Sequence, residues 1–400
     1  MTAPWLTILG ICEDGALSVA AQGRLRDAAL VVGGARHLAL AAPHIRGDRL
    51  PWSSPMDAAI AAILARRPAA VAVLASGDPY WFGAGTTLAR HVPAAETRCI
   101  PAPAAFTLAC AALGWALQDC ETFSFCGRPM SALLPALQPG ARILALSADA
   151  GTPAAVAALM DARGFGPSRL HVLEALGGPH HRVRSAEAAG FALDGVQPLN
   201  MLGIEVAAAP GAQVIPLAPG LPEAMFEHDG QITKREIRAA TLSALAPRRG
   251  ERLWDVGCGS GSVGIEWCLR HPANRAVGID GNPDRAARAG RNAASFGVAL
   301  EVVAGPAPGV LAGLPRPDAV FIGGGAADPG VIAAAWDALP REGRLVANAV
   351  TIETEAALLE ARGRLGGTLT RLSVERLDRI GSMHGYRPAM TVTQWLAVKG

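Results

Sequence analysis

The chain predicts an α/β protein of two domains, and three observations carry that expectation. Strand-length apolar runs alternate with helix-length stretches from end to end, as they do where helices cover parallel sheets. At 400 residues the chain is too long for one comfortable core and suits domains of roughly 100–200 residues. The alternation breaks once, at the Pro-, Gly- and Ala-rich stretch "AAAPGAQVIPLAPGLPE" (207–223), which carries little charge. An N-terminal domain over 1–208, a linker over 209–222 and a C-terminal domain over 223–400 are therefore expected.

Taken in order, the first half offers the strand candidates "WLTILG", "ALVVGG", "AVAVLASG", "TFSFCG", "RILALSAD", "LHVLEALG" and "NMLGIEVA". After the break, "REIRAATLSALA" reads as a helix. The runs "RLWDVG", "RAVGID", "LEVVAG", "DAVFIGG" and "RLVANAV" follow as five strands, with helices such as "NPDRAARAGRNAASF" and "TEAALLEARGRL" between them. Two long strand-like runs, "TLTRLSVERL" and "AMTVTQWLAV", close the chain as a hairpin. Five βα units and a hairpin make a seven-stranded, doubly wound, Rossmann-like sheet.

Composition excludes several classes. Half the residues are hydrophobic and 18% are charged, so a folded chain is expected, and a net charge of +2 does not suit an electrostatic nucleic-acid binder. Seven cysteines with no C-x-x-C pair argue against a zinc ribbon or a secreted disulfide framework, and no metal site is expected. No Arg or Lys precedes Arg24, so a signal peptide is not expected. No uncharged apolar run reaches the roughly 18 residues of a membrane span. A cytoplasmic protein is the expectation.

The stretch "DVGCGSGSVG" (255–264) concentrates the chemistry. From Gly259 it spells G-x-G-x-x-G, with Gly261 and Gly264, which suits a dinucleotide. From Asp255 it spells D-x-G-x-G-x-G, with Gly257, Gly259 and Gly261 interleaved by Cys258 and Ser260, which suits S-adenosyl-L-methionine. Either ligand gains from free N–H groups where a strand passes into a helix, and either could place its ribose hydroxyls on Asp280 at the end of the second strand. Asp255 favours the methyl donor, because a carboxylate there suits an ammonium head and opposes a pyrophosphate. A nicotinamide-dependent reductase and a non-catalytic S-adenosyl-L-methionine-binding regulator stay open as alternatives. No [DN]-P-P-[YF] follows the fourth strand, which disfavours methylation of a nucleobase amine.

Upstream, Thr233 and Glu236 have the spacing of a capping box. Lysine occurs only at Lys234 and Lys399, so Lys234, with Arg235 and Arg238, is a candidate for pairing with substrate carboxylates. In the first half, "LASGDPYWFG" (74–83) puts Gly77 and Asp78 at the C-terminal end of a buried strand, where parallel sheets bind ligands.

The tract "VAVLASGDPYWFGAG", with "TILGICEDG" before it and "SADAGTPAAVAALMDARGFGPSRLHVLEALGGP" after it, resembles the tetrapyrrole (class III) methyltransferases of cobalamin biosynthesis. "FEHDGQITKREIRAATLSAL", "LWDVGCGSGSVGIEW", "PDAVFIGGG" and "GRLVANAVTIETEAALL" resemble their class I partners. In this order the two are similar to the fused, decarboxylating precorrin C-methyltransferases. The resemblance implies an N-terminal class III fold of two α/β subdomains with Gly77 and Asp78 beside one S-adenosyl-L-methionine. It implies a C-terminal class I fold with Thr233, Gly257 to Gly261, Asp280 and Ala307 around a second. The activity implied is methylation of carbons 5 and 15 of a precorrin with loss of the ring C acetate carboxylate, giving precorrin-8. The partner is a small-molecule tetrapyrrole, without nucleic acid or membrane, and the enzyme is expected to be a homo-oligomer.

Four positions depart from the family pattern: Cys12 stands where glycine is common, Ala104 for serine, Cys126 for histidine, and Pro306 for an acid. Glu266, Asn348, Glu353, Arg379 and His384 fall near expected strand ends or the closing hairpin, but none is singled out for decarboxylation.

Overall fold

A computed structural model describes residues 4–400. Two compact units emerge, one from residues up to 128 together with 136–213, the other from 129–135 together with 214–400. The N-terminal unit contains β1 (Leu6–Ile11), β2 (Leu30–Gly33), β3 (Asp48–Pro51), β4 (Val71–Ser76) and β5 (Thr97–Ile100) in a parallel sheet of order β3-β2-β4-β1-β5. Every residue of β1 and β2 is buried. Alternate side chains feed two clusters: Leu6, Ile8, Val32 and Val73 on one face, Leu9, Ile11, Val31 and Leu74 on the other. Both faces are covered, which is why these strands read as continuous apolar runs.

Its second sheet comprises β6 (Cys120–Ser124), β7 (Arg142–Leu146), β8 (Arg169–Glu174), β9 (Arg182–Glu187) and β10 (Asn200–Glu205) in the order β6-β7-β10-β8-β9. Here the expectation of parallel sheets needs correction. Only β6 and β7 run parallel, and the pairings of β7 with β10, β10 with β8 and β8 with β9 are antiparallel. The sequence reading also missed β3, β5 and β9. All three are partly exposed edge strands, so they lack the apolar run that marks a buried one.

An acid holds the exposed β9 edge in place. Glu174 is fully buried and accepts from Arg182 Nε (2.9 Å) and Nη2 (2.7 Å), Arg184 Nε (3.0 Å) and the Gln197 N–H (2.8 Å). Burial pushes its carboxyl upward, but these hydrogen bonds outweigh that and draw it down to about 2, from an ordinary value of 4.5. Because the folded-state value is depressed, the stabilisation is complete above about 4.5 and is lost as pH falls through about 2. The urea midpoint of Glu174→Gln should therefore lie below wild type at neutral pH and converge with it in acid. A gap independent of pH would sink this assignment.

The C-terminal unit contains β11 (Arg252–Val256), β12 (Arg275–Asp280), β13 (Leu300–Ala304), β14 (Ala319–Ile322), β15 (Arg344–Ala349), β16 (Thr368–Leu372), β17 (Glu375–Ile380), β18 (Met383–Pro388) and β19 (Val392–Val398). Seven of these form the sheet β13-β12-β11-β14-β15-β19-β16, with β19 antiparallel to both neighbours. Trp254, Ile279, Val320, Leu345 and Trp395 build the core on one face. The closing hairpin differs from expectation. The run read as one long strand divides into β16 and β17, and β17 pairs with β18 in a separate two-stranded ribbon. Gly381 (φ +61°) makes its tight turn, and Leu377, Ile380, Met383 and Tyr386 stand exposed along it.

Among the described residues, no helix is long and apolar enough to cross a membrane, and no cluster of His, Cys, Asp or Glu could hold a metal ion.

Candidate functional site

Where β11 ends, the chain turns through Gly257, Gly259 and Gly261, all at positive φ (+68°, +56° and +75°), before the helix Ser262–Leu269 begins. Glycine adopts these angles at the least steric cost. Gly257 is further constrained, since a Cβ there would lie 2.8 Å from the Gly324 nitrogen. The two loops at the ends of β11 and β14 thus meet backbone to backbone. Gly259 is open by contrast: a Cβ there would meet only the Gln231 carbonyl, at 3.8 Å.

Above this turn lies a cleft of about 760 Å³. Its floor is Gly257, Cys258, Gly259, Ser260 and Asp280. Thr233, Lys234, Ile237, Gly305, Pro306 and Ala307 also line it, as do Gly323 to Gly325, Asp328 and Asn348. Asp280 braces the glycine turn, accepting from the Gly259 N–H at 2.8 Å and the Asn282 N–H at 2.9 Å. A carboxylate offers about four acceptor positions, so vicinal hydroxyls of a ligand can still be received. Ser260 Oγ is buried without a partner in this wall, a polar group that a bound ligand would satisfy. Burial pushes the Cys258 thiol far up, which removes it as a nucleophile.

Thr233, Gly257 to Ser260, Asp280, Ala307 and Lys234 come together on this one cleft, whereas Gly261 packs toward Leu300 and Ala289 and does not line it. Four other expected contacts do not. Asp255 is only 1% exposed and lies behind the turn, with Oδ2 accepting from the Gly264 N–H at 2.8 Å and Oδ1 unpartnered. Burial pushes its carboxyl up to about 7, and the nearby Asp280 adds to this, so Asp255 braces the loop rather than lining the cleft. Arg238 is fully buried against Glu266, with Nε 2.5 Å from Oε1, and cannot reach a substrate. Arg235 is exposed outside the cleft wall. Glu266, placed among the decarboxylation candidates, is consumed by the same buried pair.

The capping box does not form either. The helix starts one residue late, at Arg235, with Lys234 as its N-cap and no side-chain cap bond. Glu236 instead pairs with Arg376 of β17. Asn348 does line the cleft, held by Thr241 Oγ1 (3.0 Å) and Gln394 Nε2 (2.9 Å). Glu353 lies in the first turn of the helix Ile352–Leu365, and Arg379 and His384 face each other across the exposed ribbon. None of these three lines the cleft.

The sequence reading missed Asp328, Arg285 and Arg376, which also line it. Asp328 follows the fourth strand of this unit, and the rule that ligands bind at strand C-terminal ends could have flagged it. Arg376 sits on the ribbon, for which the sequence carried no signal.

The N-terminal unit has a smaller cleft of about 100 Å³, bordered by Cys12, Glu13, Arg36, Ser76, Gly77 and Asn200. Gly77 is at φ +57°, and a Cβ there would lie 2.8 Å from the Ala104 Cα. Asp78 is not on this wall; its Oδ1 accepts from the Tyr80 N–H at 2.8 Å, an Asx-type turn.

Residues 9–192 match the family of tetrapyrrole (corrin/porphyrin) methylases, and residues 224–399 match the precorrin methyltransferase domain. A Sinorhizobium protein named precorrin-6Y C(5,15)-methyltransferase [decarboxylating] is 54% identical over 403 residues, covering 100% of this chain and 98% of its own. One of the same name from Mycobacterium tuberculosis is 40% identical over 400 residues, covering 98% of this chain and 100% of its own. The crystal structure of the C-terminal domain of precorrin-6Y C5,15-methyltransferase from Rhodobacter capsulatus is 44% identical, with a TM-score of 0.44, and covers 46% of this chain and 100% of its own. On its full-length relatives, the chain belongs to the precorrin-6Y C(5,15)-methyltransferase (decarboxylating) family.

Proposed function

We propose that the chain methylates carbons 5 and 15 of a precorrin and releases the ring C acetate carboxylate as carbon dioxide, giving precorrin-8 in cobalamin biosynthesis. The observation that carries this reading is the fusion of both family segments on one chain, matched end to end by a 54% identical relative. A methyltransferase family implies S-adenosyl-L-methionine as donor. We further assign one donor site to each unit, with the domains dividing within 209–222. The methylase-like unit then serves one carbon and the class I unit serves the other carbon and the decarboxylation.

In the C-terminal cleft, Asp280 would receive the ribose hydroxyls and the N–H groups of the glycine turn the polar tail. Open φ-positive backbone at Gly259 and the orphaned Ser260 hydroxyl support this fit. A meso carbon beside pyrrole nitrogens is already enamine-like. The protein's contribution is therefore alignment, worth up to roughly 7–11 kcal/mol. Lys234 and Arg376, both on the cleft wall, supply positive charge for the acidic side chains of a tetrapyrrole.

Equilibrium dialysis against labelled S-adenosyl-L-methionine, with NADH alongside, tests the stoichiometry. Two equivalents of donor and none of NADH are expected, and a mass assay on the precorrin should show two methyls gained and one carboxylate lost. Binding of NADH alone would overturn the reading, and one equivalent of donor would overturn the two-site assignment.

A further inference from the structure

At the C-terminal end of β15 three side chains hold one another in a closed triangle. Asn348 Nδ2 donates to Thr241 Oγ1 at 3.0 Å, and Gln394 Nε2 donates to the same oxygen at 3.1 Å and to Asn348 Oδ1 at 2.9 Å. Asn348 and Gln394 stand directly opposite each other in the β15–β19 register, and Thr241 reaches them from the helix Arg235–Leu245. Thr241 and Gln394 are buried, and of the three only Asn348 lines the C-terminal cleft.

Counting hydrogens fixes both amides. With both turned over, two carbonyl oxygens would face Thr241, whose hydroxyl has one hydrogen to give. With one turned over, the contact between Asn348 and Gln394 would set nitrogen against nitrogen or oxygen against oxygen. In the remaining arrangement Gln394 spends both N–H groups inside the triangle and Asn348 spends one. The second Nδ2 hydrogen of Asn348 has no partner among the described residues. Asn348 is therefore held as a neutral donor on the cleft wall.

Its place in the sheet tells what it serves. The glycine turn ends β11 and Asp280 ends β12, two and three strands from β15, about 10 and 14 Å at the spacing of neighbouring strands. Asn348 thus belongs to the substrate side of the cleft rather than to the methyl donor. Val350 and Val392, each two residues from a member of the triangle on its own chain segment, line the cleft as well. The cations lie further off. Lys234 and Glu236, the partner of Arg376, precede Thr241 by seven and five residues, about 10 and 8 Å along the helix. Arg285 is paired with Asp229. A carboxylate that leaves as carbon dioxide gives up its charge, so a cation bound to it would favour the starting state over the transition state. A neutral N–H directs the carboxylate with about half the strength of a charged donor.

We propose that Asn348 Nδ2 donates to the ring C acetate carboxylate and orients it for loss, with Gln394 and Thr241 as positioning residues that act through Asn348. This rests on the reading that the C-terminal unit carries out the decarboxylation. The bond between the acetate methylene and the carboxylate carbon breaks. Its electron pair passes into the macrocycle, protonated on an imine nitrogen, and neutral carbon dioxide departs. The methylene then takes a proton from water and becomes a methyl group, and the nitrogen returns its proton to water. Overall one proton replaces the carboxylate.

The test uses the full chain, S-adenosyl-L-methionine, and precorrin radiolabelled in the ring C acetate carboxylate. Asn348→Asp keeps an acceptor for Gln394 but removes the free N–H. Its kcat for labelled carbon dioxide should fall by roughly 10–100-fold, the loss of one hydrogen bond to a charged group, and tetrapyrrole that retains the label should accumulate. Gln394→Met leaves the Asn348 amide free to turn over and should lower the same kcat by roughly two- to tenfold, the worth of one neutral hydrogen bond, with KM near wild type. Calorimetric affinity for S-adenosyl-L-methionine should stay near wild type in both variants. A wild-type kcat in Asn348→Asp, or a loss confined to KM, would overturn the proposal and leave the decarboxylation reading intact. A wild-type chain that releases no labelled carbon dioxide would overturn both.

Discussion

Arg238→Met should destabilise the C-terminal unit by about 3–5 kcal/mol, the usual cost of leaving one member of a buried ion pair without its partner. Arg238 and Glu266 are both fully buried, with Nε and Oε1 2.5 Å apart. The guanidinium also donates to the carbonyls of Leu221 and Thr233 and lies 4.9 Å from the Phe226 ring centre. Glu266 in turn accepts the Gly220 and Leu221 N–H groups at 2.7 and 2.9 Å. One pair thus secures three separate segments: the end of the linker, the approach to the helix Arg235–Leu245, and the helix Ser262–Leu269. Methionine would fill the space but leave a buried carboxylate and two carbonyls without their partner. Urea unfolding of the full chain measures the loss, with the exposed Arg235→Met as control, expected within about 0.5 kcal/mol of wild type. A change below about 1 kcal/mol at Arg238 would show that the pair is dispensable.

Gly257→Ala should weaken donor binding in the C-terminal cleft by roughly ten- to a hundredfold, and on the proposed two-site reading one equivalent should stay bound to the N-terminal unit. The residue is at φ +68°, and its Cβ would fall 2.8–2.9 Å from the nitrogen, Cα and oxygen of Gly324. Backbone offers no rotamer by which to yield. The strain of a non-glycine residue at such an angle is about 1–3 kcal/mol, and each 1.4 kcal/mol is tenfold in affinity. Gly259→Ala separates the two causes, since φ is +56° there but its Cβ meets only one carbonyl at 3.8 Å. Gly290→Ala, in the helix Pro283–Phe296 with nothing within 4 Å of its Cβ, should stabilise the unit by roughly 0.5–1 kcal/mol. Calorimetric titration of all three variants gives the comparison. Equal affinities for Gly257→Ala and wild type would mean that the loop contact with Gly324 does not shape the site.

The parts legible in the sequence share a physical cause. Strands β11, β12, β14 and β15 are buried on both faces, so each left an apolar run that needed no knowledge of its neighbours. The glycine turn was legible because three closely spaced positive-φ positions strongly favour glycine. The edge strands β3, β5 and β9 were not legible, because an edge needs no apolar alternation. Nor was the ribbon of β17 and β18, whose outward side chains follow no buried face.

By itself the sequence determined the two α/β halves, the five-strand run of the second half, the glycine turn with Asp280 at the next strand end, and the resemblance that named the chemistry. Those depend on local pattern. Tertiary structure alone decided what the charges do. Arg238 and Lys234 stand four residues apart on the chain, yet one is sealed against Glu266 and the other lines the cleft. Asp255 and Asp280 close consecutive strands, yet one lies behind the turn and the other supports it from the cleft. A charge is assigned its role by what packs against it, and for Arg238 that partner lies 28 residues further along the chain.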